Sequence, residues 1–332
     1  MINKRRIVNA CPDSFLSVYR FLKKTKNYLC AVYWGSVLNR KPEKHAKHEV
    51  KREKQVLVRP FNISQPKYFG EKLLWLKYYV YNNSGLIAQC YNKYEVREYI
   101  KSKGLAHILN DLYGVWDDVE EINWEKLPDE YVMKVSNGYA GHVFKRKEEV
   151  FDVEKAKKTL KETKRKYSYY YKITGDLFVA KTKQHIICER LLESSLGYLS
   201  PEDYKFYCFN GEPLFVEFMA NRSGSKDYNY KEVFVDINLQ DRHELEGEAH
   251  EGSFEAPSCY GEMIQIARIL SQDFPFVRVD LYAEKGKVIF GELTFTPTHV
   301  QTIESQIQLG ELLDLNDVDK KYPRLIQERR IV

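Results

Sequence analysis

The sequence predicts an α+β protein. Three observations carry that expectation. Residues 131–192 run in the order strand, loop, strand, helix, strand. Residues 203–237 then give several strand-like runs joined by short turns, with one helix before the last pair. The chain's clearest feature is a hairpin at 274–295, with Lys285-Gly286 at its turn. Strands grouped apart from helices in this way read as α+β rather than as a regular βαβ repeat.

The elements follow in order. Residues 1–60 read as helical and basic, and within 15–26 Phe15, Val18, Tyr19 and Leu22 recur at helical spacing. Residues 56–61 read as a short strand or a linker. Helices are expected over 68–81 and 91–103, separated by Asn82-Asn83-Ser84-Gly85. A short strand region at 108–116 leads into an acidic connector, 117–127, which Pro128 ends. Strands 131–135 and 143–145 flank a glycine-containing loop at 136–142. A basic helix follows over 153–166. Strands are expected at 186–192, 203–210, 213–219 and 233–237, a helix at 259–272, then the hairpin, and residues 308–315 with the tail close the chain.

Composition narrows the function classes. Of 332 residues 43% are apolar and only 28 are Gly or Pro, so the chain can build a sizeable core and is not a disordered segment. No apolar run approaches a membrane span, and the N-terminus lacks the apolar stretch of a secretion signal. The six cysteines are scattered with no Cys-x-x-Cys pair, which suits reduced thiols in a cytoplasm. The net charge of +5 is uneven: residues 1–60 carry 15 Lys/Arg against 4 Asp/Glu, and the remainder is net acidic. That basic part reads either as a solvated helix on the main body or as a dock for an anionic membrane face or a lipid-linked substrate. No nucleic-acid motif accompanies it.

Side chains alternate across a strand. On the first arm of the hairpin Val277, Val279 and Leu281 share an apolar face, and Arg278, Asp280 and Tyr282 share the other. On the second arm alternation puts Phe290, Glu292 and Thr294 together, opposite Ile289, Leu293 and Phe295. A turn near Gly286 sets Asp280 opposite Glu292 to within one residue of register. Facing carboxylates repel unless a cation sits between them. The plain alternative is the solvated face of an ordinary hairpin.

Five further segments are candidates. Lys134 ends a strand before Ser136, Gly138 and Gly141, a small loop that can offer backbone N–H groups to phosphates, though it matches neither a P-loop nor a Rossmann fingerprint. The strand ending at Glu189 could present its edge to an adenine. Asp203, Lys205 and Tyr207 share one strand face, which in the plain reading is an exposed ion pair. Arg222 sits in a Gly/Ser loop, either an anion clamp or surface. Asp317-Val318-Asp319 formally matches an Asp-x-Asp metal motif, but lies in a polar stretch and reads as a cap or surface.

Taken in order, these segments resemble an ATP-grasp enzyme, and more closely the TupA-like (teichuronopeptide-biosynthesis) ATP-grasp family. The likeness rests on Lys67-Tyr-Phe-Gly-Glu-Lys-Leu-Leu-Trp-Leu-Lys, Asn92-Lys-Tyr-Glu-Val-Arg-Glu-Tyr, Asp203-Tyr-Lys-Phe-Tyr-Cys-Phe-Asn-Gly, Asp273-Phe-Pro-Phe-Val-Arg-Val-Asp-Leu-Tyr and Phe290-Gly-Glu-Leu-Thr-Phe. It runs from about residue 60 to 315. It implies two α+β subdomains gripping ATP, with the basic helical segment as an N-terminal extension. Arg97 and Lys134 would bind phosphates, under a loop with Ser136, Gly138 and Gly141. Glu189, Arg190, Leu191 and Leu192 would form the adenine hinge, with Asp203 also on the nucleotide. Asp280, Glu292 and Thr294 would hold two Mg²⁺ ions, and Arg278, Lys205 and Arg222 would serve the reacting groups. Thr294 stands where many such enzymes carry Asn, and Tyr139 occupies a loop position where a small residue is usual.

The division implied is 1–60, 61–127, 128–192, 193–315 and a tail from 316. The function implied is an ATP-dependent carboxylate–amine ligase of cell-surface polysaccharide synthesis, cytoplasmic and without nucleic-acid partners. It would act through an acyl-phosphate on a uronic-acid sugar or an amino acid, free, nucleotide-linked or lipid-linked. A kinase on the same fold, a sugar-nucleotide glycosyltransferase using Asp317 and Asp319, and a non-catalytic nucleotide binder stand as alternatives.

Overall fold

The computed structural model describes residues 13–147, 149–220, 231–245, 256–297 and 302–326. The chain opens with two helices, α1 (Asp13–Arg40) and α2 (Pro42–Glu53). Pro42 sits in the first turn of α2, where its missing N–H costs nothing, and Lys54 ends that helix in the left-handed region. Residues 56–61 are irregular, the linker rather than the strand. Three helices follow: α3 (Phe69–Tyr79), α4 (Gly85–Tyr91) and α5 (Val96–Ser102). Ser84 caps α4 by accepting from the Ile87 N–H.

The first sheet has the order β1-β4-β2-β3, all antiparallel, from β1 (Leu112–Trp116), β2 (Tyr131–Val135), β3 (Val143–Lys145) and β4 (Ile186–Glu189). Helix α6 (Val153–Thr174) lies on it. Asp152 caps its start and Gly175, at φ +79°, its end, so it runs eight residues past 166. The run Tyr167-Ser-Tyr-Tyr-Tyr has strand-like composition but continues the helix, with Tyr167 buried. Ala156 and Leu160 of α6 close a small core with Met133, Val135, Ile186 and Cys188.

The second sheet is β7-β6-β5-β8-β9, again antiparallel, from β5 (Asp203–Phe209), β6 (Glu212–Ala220), β7 (Lys231–Asp236), β8 (Phe276–Glu284) and β9 (Lys287–Thr294). One face is covered by α7 (Tyr260–Ser271), through Met263, Ile266, Ala267 and Leu270. The helices from 69 to 102 share this core: Phe69 packs on Phe209 and Phe276, and Tyr99 on Phe274. Helix α8 (Ile303–Leu312) returns against α3, followed by the short α9 (Val318–Lys321) and α10 (Pro323–Ile326).

A buried charged cluster joins α2 to the body. Lys77 bridges Glu49 at 2.5 Å and Asp176 at 2.8 Å. The Tyr78 hydroxyl lies between His45 Nδ1 at 2.6 Å and Glu49 Oε2 at 2.9 Å, and His45 Nε2 meets the Lys172 carbonyl at 3.0 Å. Every ion here has a partner, which is the condition for burying charge at tolerable cost. Cys90, Cys188, Cys208 and Cys259 are buried free thiols.

Candidate functional site

The hairpin β8–β9 sets the site. Asp280 pairs directly with Glu292, and Arg278 with Thr294. The register then slips by one residue, so Leu281 pairs with Phe290 and Gly291 is the extra residue of a β-bulge. A Cβ at Gly291 would lie 2.8 Å from the Asp280 carbonyl oxygen, which is why the position is glycine. The bulge corrects the face assignment read from strict alternation. Phe290 turns into the apolar core with Leu281 and Leu293, not alongside Glu292, and Ile289 is set opposite Tyr282.

The polar face is dense in charge. Arg278 donates from Nε to Asp280 Oδ1 at 2.7 Å and from Nη2 to Oδ2 at 2.6 Å. Nη2 also donates to Thr294 Oγ1 at 3.3 Å, and Thr294 donates to Glu292 Oε1 at 3.2 Å. One strand over, Lys205 stands between Asp280 and Glu217 and is ion-paired to Glu217, while Tyr207 donates to the same carboxylate at 2.6 Å. The Asp203–Lys205 surface pair of the plain reading therefore does not form: Lys205 is buried and belongs to Glu217.

These contacts push the carboxyl groups apart. Burial raises Asp280 to about 7, against the pull of Arg278. For Glu292 burial also acts upward, but the charges of Lys93 and Arg278 outweigh it and hold the group at about 2. Glu217 is likewise held at about 2 by Lys205 and Arg278 against its burial. Neighbouring carboxyl groups with separated affinities for protons are a recurrent mark of functional sites.

Beside this face lies a narrow cleft lined by Lys93, Arg97, Lys134, Glu189, Leu192 and Tyr282. Lys134 meets Glu189 at 2.8 Å and Arg97 approaches it at 3.8 Å. Of the three cations in the cleft, Glu189 holds two, Lys134 and Arg97. Lys93 is the link. Its Nζ donates to the Gly138 carbonyl at 2.8 Å and reaches Glu292 at 3.4 Å, and its N–H donates to the Ser136 carbonyl at 2.7 Å. It ties the glycine loop of the first sheet to the carboxylate of the second.

The loop rests on α6. Tyr139 packs edge-on against Tyr167 at 5.0 Å, and Cβ atoms at Gly138 and Gly141 would collide with Tyr167 and Thr163. Ser136, expected in the phosphate set, is engaged by its own strand neighbours. It is fully buried, its N–H donates to the His185 carbonyl at 2.8 Å and its hydroxyl accepts from the His185 N–H at 3.0 Å. Its polar groups hold the strand ends together.

The strand β4 stops at Glu189, shorter than 186–192. Arg190 is also turned to a structural use: its guanidinium pairs bidentately with Glu284 at 3.1 and 2.7 Å, its N–H donates to the Asp111 carbonyl and its carbonyl accepts from Asn110. Glu284 further accepts from the Glu193 N–H at 2.8 Å, so it anchors the whole turn. Among the described residues, the main chains of Leu191 and Leu192 make no internal hydrogen bond. Asp203 is buried at the start of β5, opposite Tyr282. Arg222 lies outside the described residues. Asp317 begins α9, exposed and paired with Lys320, away from any strand end.

Lys93, Glu217 and Glu284 were missed in the sequence. Lys93 had a signal, its place in the Asn92–Arg97 segment; the other two lay in ordinary strand runs. Among the described residues no three His, Cys, Asp or Glu side chains gather as a metal site. Asp280, Glu292 and Thr294 offer oxygen donors, the type Mg²⁺ takes together with phosphates and water, and both Asp280 oxygens accept from Arg278 here.

A family profile described as TupA-like ATPgrasp matches residues 71–314. No curated protein matches the chain. Solved structures similar to it include a D-alanine–D-alanine ligase from Bacillus anthracis complexed with ATP, with 15% identity over 63% of this chain and 55% of that one, and a TM-score of 0.35. An L-amino acid ligase from Bacillus licheniformis has 14% identity over 69% and 51%, with a TM-score of 0.40. An ADP complex of N5-carboxyaminoimidazole ribonucleotide synthetase has 15% identity over 68% and 50%, with a TM-score of 0.41. The chain spans about half the length of these structures, and at such TM-scores none of them carries weight beyond the family match.

Proposed function

The chain belongs to the TupA-like ATP-grasp family, and from that premise we propose that it is an ATP-dependent carboxylate–amine ligase. The observation that carries the reading is one juxtaposition. A cleft of three cations adjoins a sheet face on which Asp280 stands opposite Glu292, and Lys93 touches both.

ATP is a substrate in this reading. Lys93, Arg97 and Lys134 bind its phosphates, and Glu189, which now holds Lys134 and Arg97, gives them up to the stronger anion. The unspent main chain at Leu191 and Leu192 receives the base. Asp280, Glu292 and Thr294 would hold Mg²⁺, which would supply neutralisation of the phosphate charge. A substrate carboxylate attacks the γ-phosphorus and ADP leaves, giving an acyl-phosphate. An amine then attacks the acyl carbon, the carbon–nitrogen bond forms, phosphate leaves and the amine loses a proton. Arg278 sits on the same face to steady the oxyanion of that second step, and Lys205, fixed by Glu217, keeps positive charge beside Asp280.

The carboxylate is a uronic-acid sugar or an amino acid and the amine an amino acid or small amino alcohol, within cell-surface polysaccharide synthesis. The test is phosphate release from ATP and Mg²⁺ across pairs of such carboxylates and amines, beside Asp280→Asn. Release that needs one particular pair, and falls at least about 100-fold in the variant, supports the ligase. A stable phosphorylated product with no amine requirement would mean a kinase instead. Absence of ATP binding would sink both.

A further inference from the structure

Helix α1 is turned the wrong way round for a surface helix. Among its described side chains only the small Ala31 and Leu38 are buried, and Gly35 lets it lie close on Lys172 of α6. The opposite side carries Leu22, Leu29, Val32 and Tyr33, exposed by 60, 61, 53 and 52%. At 100° per residue these four fall within one stripe; Leu22, Leu29 and Val32 form its open part, and Tyr33 accepts from Lys44 of α2 at 3.2 Å. In the sequence the same spacing continues back through Val18 and Phe15. An ordinary surface helix buries such a stripe.

Some of the cations beside it are also unspent. On α6, Lys157 and Lys161 pair with Glu120, and Lys164 donates to the Asp117 carbonyl. On another face of the helix Lys155, Lys158 and Arg165 make no ion pair among the described residues, and with Lys23 of α1, Glu162 and Lys166 (itself over the Tyr139, Tyr167 and Tyr170 rings) they line a groove between the two helices. Lys26 is exposed between Leu22 and Leu29. Residues 1–60 as a whole carry 15 basic against 4 acidic groups.

We propose that this face of α1 and α6 docks on a bilayer surface rich in anionic phospholipid, with the Leu/Val stripe entering the headgroup boundary and the lysines of the groove meeting the phosphates. Two other occupants account for half the pattern each. A second copy would cover the stripe but would bring like charges together, and a soluble polyanion would use the lysines but leave the leucines in water. No helix among the described residues is long and apolar enough to cross a membrane, so the contact is peripheral. The inference does not depend on the ligase reading.

The test is co-sedimentation of the full chain with vesicles of equal parts phosphatidylglycerol and phosphatidylcholine, and with phosphatidylcholine alone. Two double variants are compared, Leu22→Glu with Leu29→Glu, and Lys155→Glu with Lys158→Glu; all four side chains are exposed, so folding is preserved and is checked by the thermal transition. The expected result is binding at least about tenfold tighter to the anionic vesicles, and a loss of about tenfold or more in each variant. No binding to the anionic vesicles overturns the proposal. So does binding that ignores the two leucines, which is plain attraction of a polycation. A dimer in light scattering that Leu22→Glu with Leu29→Glu dissolves, without vesicle binding, assigns the stripe to a second copy and overturns it too.

Discussion

Lowering the pH from 7 to 5 should loosen the junction between the N-terminal helices and the body, and His45 is the group responsible. It is fully buried between Tyr78 and the Lys172 carbonyl. Burial pushes it down from 6.5 to about 4; the Lys172 carbonyl opposes this, and the charges of Lys77 and His48 reinforce it. The folded protein therefore prefers the neutral ring. The stability this contributes is fully present above 6.5, is lost as the pH falls from there towards 4, and is gone below. At about 1.4 kcal/mol per unit the whole gap is worth about 3 kcal/mol, and about 2 kcal/mol of it lies between pH 7 and 5. The assay is urea unfolding at both pH values for the native chain and for His45→Gln. The variant is less stable at pH 7, but its loss on going to pH 5 should be smaller by about 2 kcal/mol, all other titrations being common to both proteins. Equal losses, to within about 0.5 kcal/mol, would refute the reasoning.

Two further outcomes concern the site. Gly291→Ala forces a Cβ to 2.8 Å from the Asp280 carbonyl and should cost about 1–3 kcal/mol in urea unfolding, with loss of phosphate release as Glu292 leaves its place opposite Asp280. A variant of native stability and turnover would mean that the bulge is dispensable. Lys93→Ala removes the contacts to Gly138 and Glu292 and should weaken ATP binding about tenfold or more by calorimetry, with partial recovery in Lys93→Arg. An unchanged affinity would remove Lys93 from the phosphate set.

Much of the second sheet was legible in the sequence. The hairpin, its apolar backing and the pairing of Asp280 with Glu292 follow from alternation and a Lys-Gly turn, because a period of two leaves few registers open. The helix on 260–271 and the start of the helix at 153 were equally local. The family resemblance is matched by the profile over 71–314.

Other features depended on neighbours far along the chain. Whether Phe290 faces the core was decided by one extra residue at Gly291; an isolated glycine in a strand run is compatible with a bulge, but strict alternation does not include it. The helix α6 runs through its tyrosines because Tyr167 finds a buried place there, which overrides local propensity. Ser136 and Arg190 looked like ligand residues by type and position. His185, 49 residues on, takes the first, and Glu284, 94 residues on, takes the second. Lys93 acquires its importance from bridging two sheets. The sequence by itself determined which stretches are strands, which helices carry charge and which residues could do chemistry, since those follow from local composition and period. Only the tertiary structure decided which of those residues are still free to do it, because a charge or hydroxyl is spent by whatever partner the fold brings within about 3 Å.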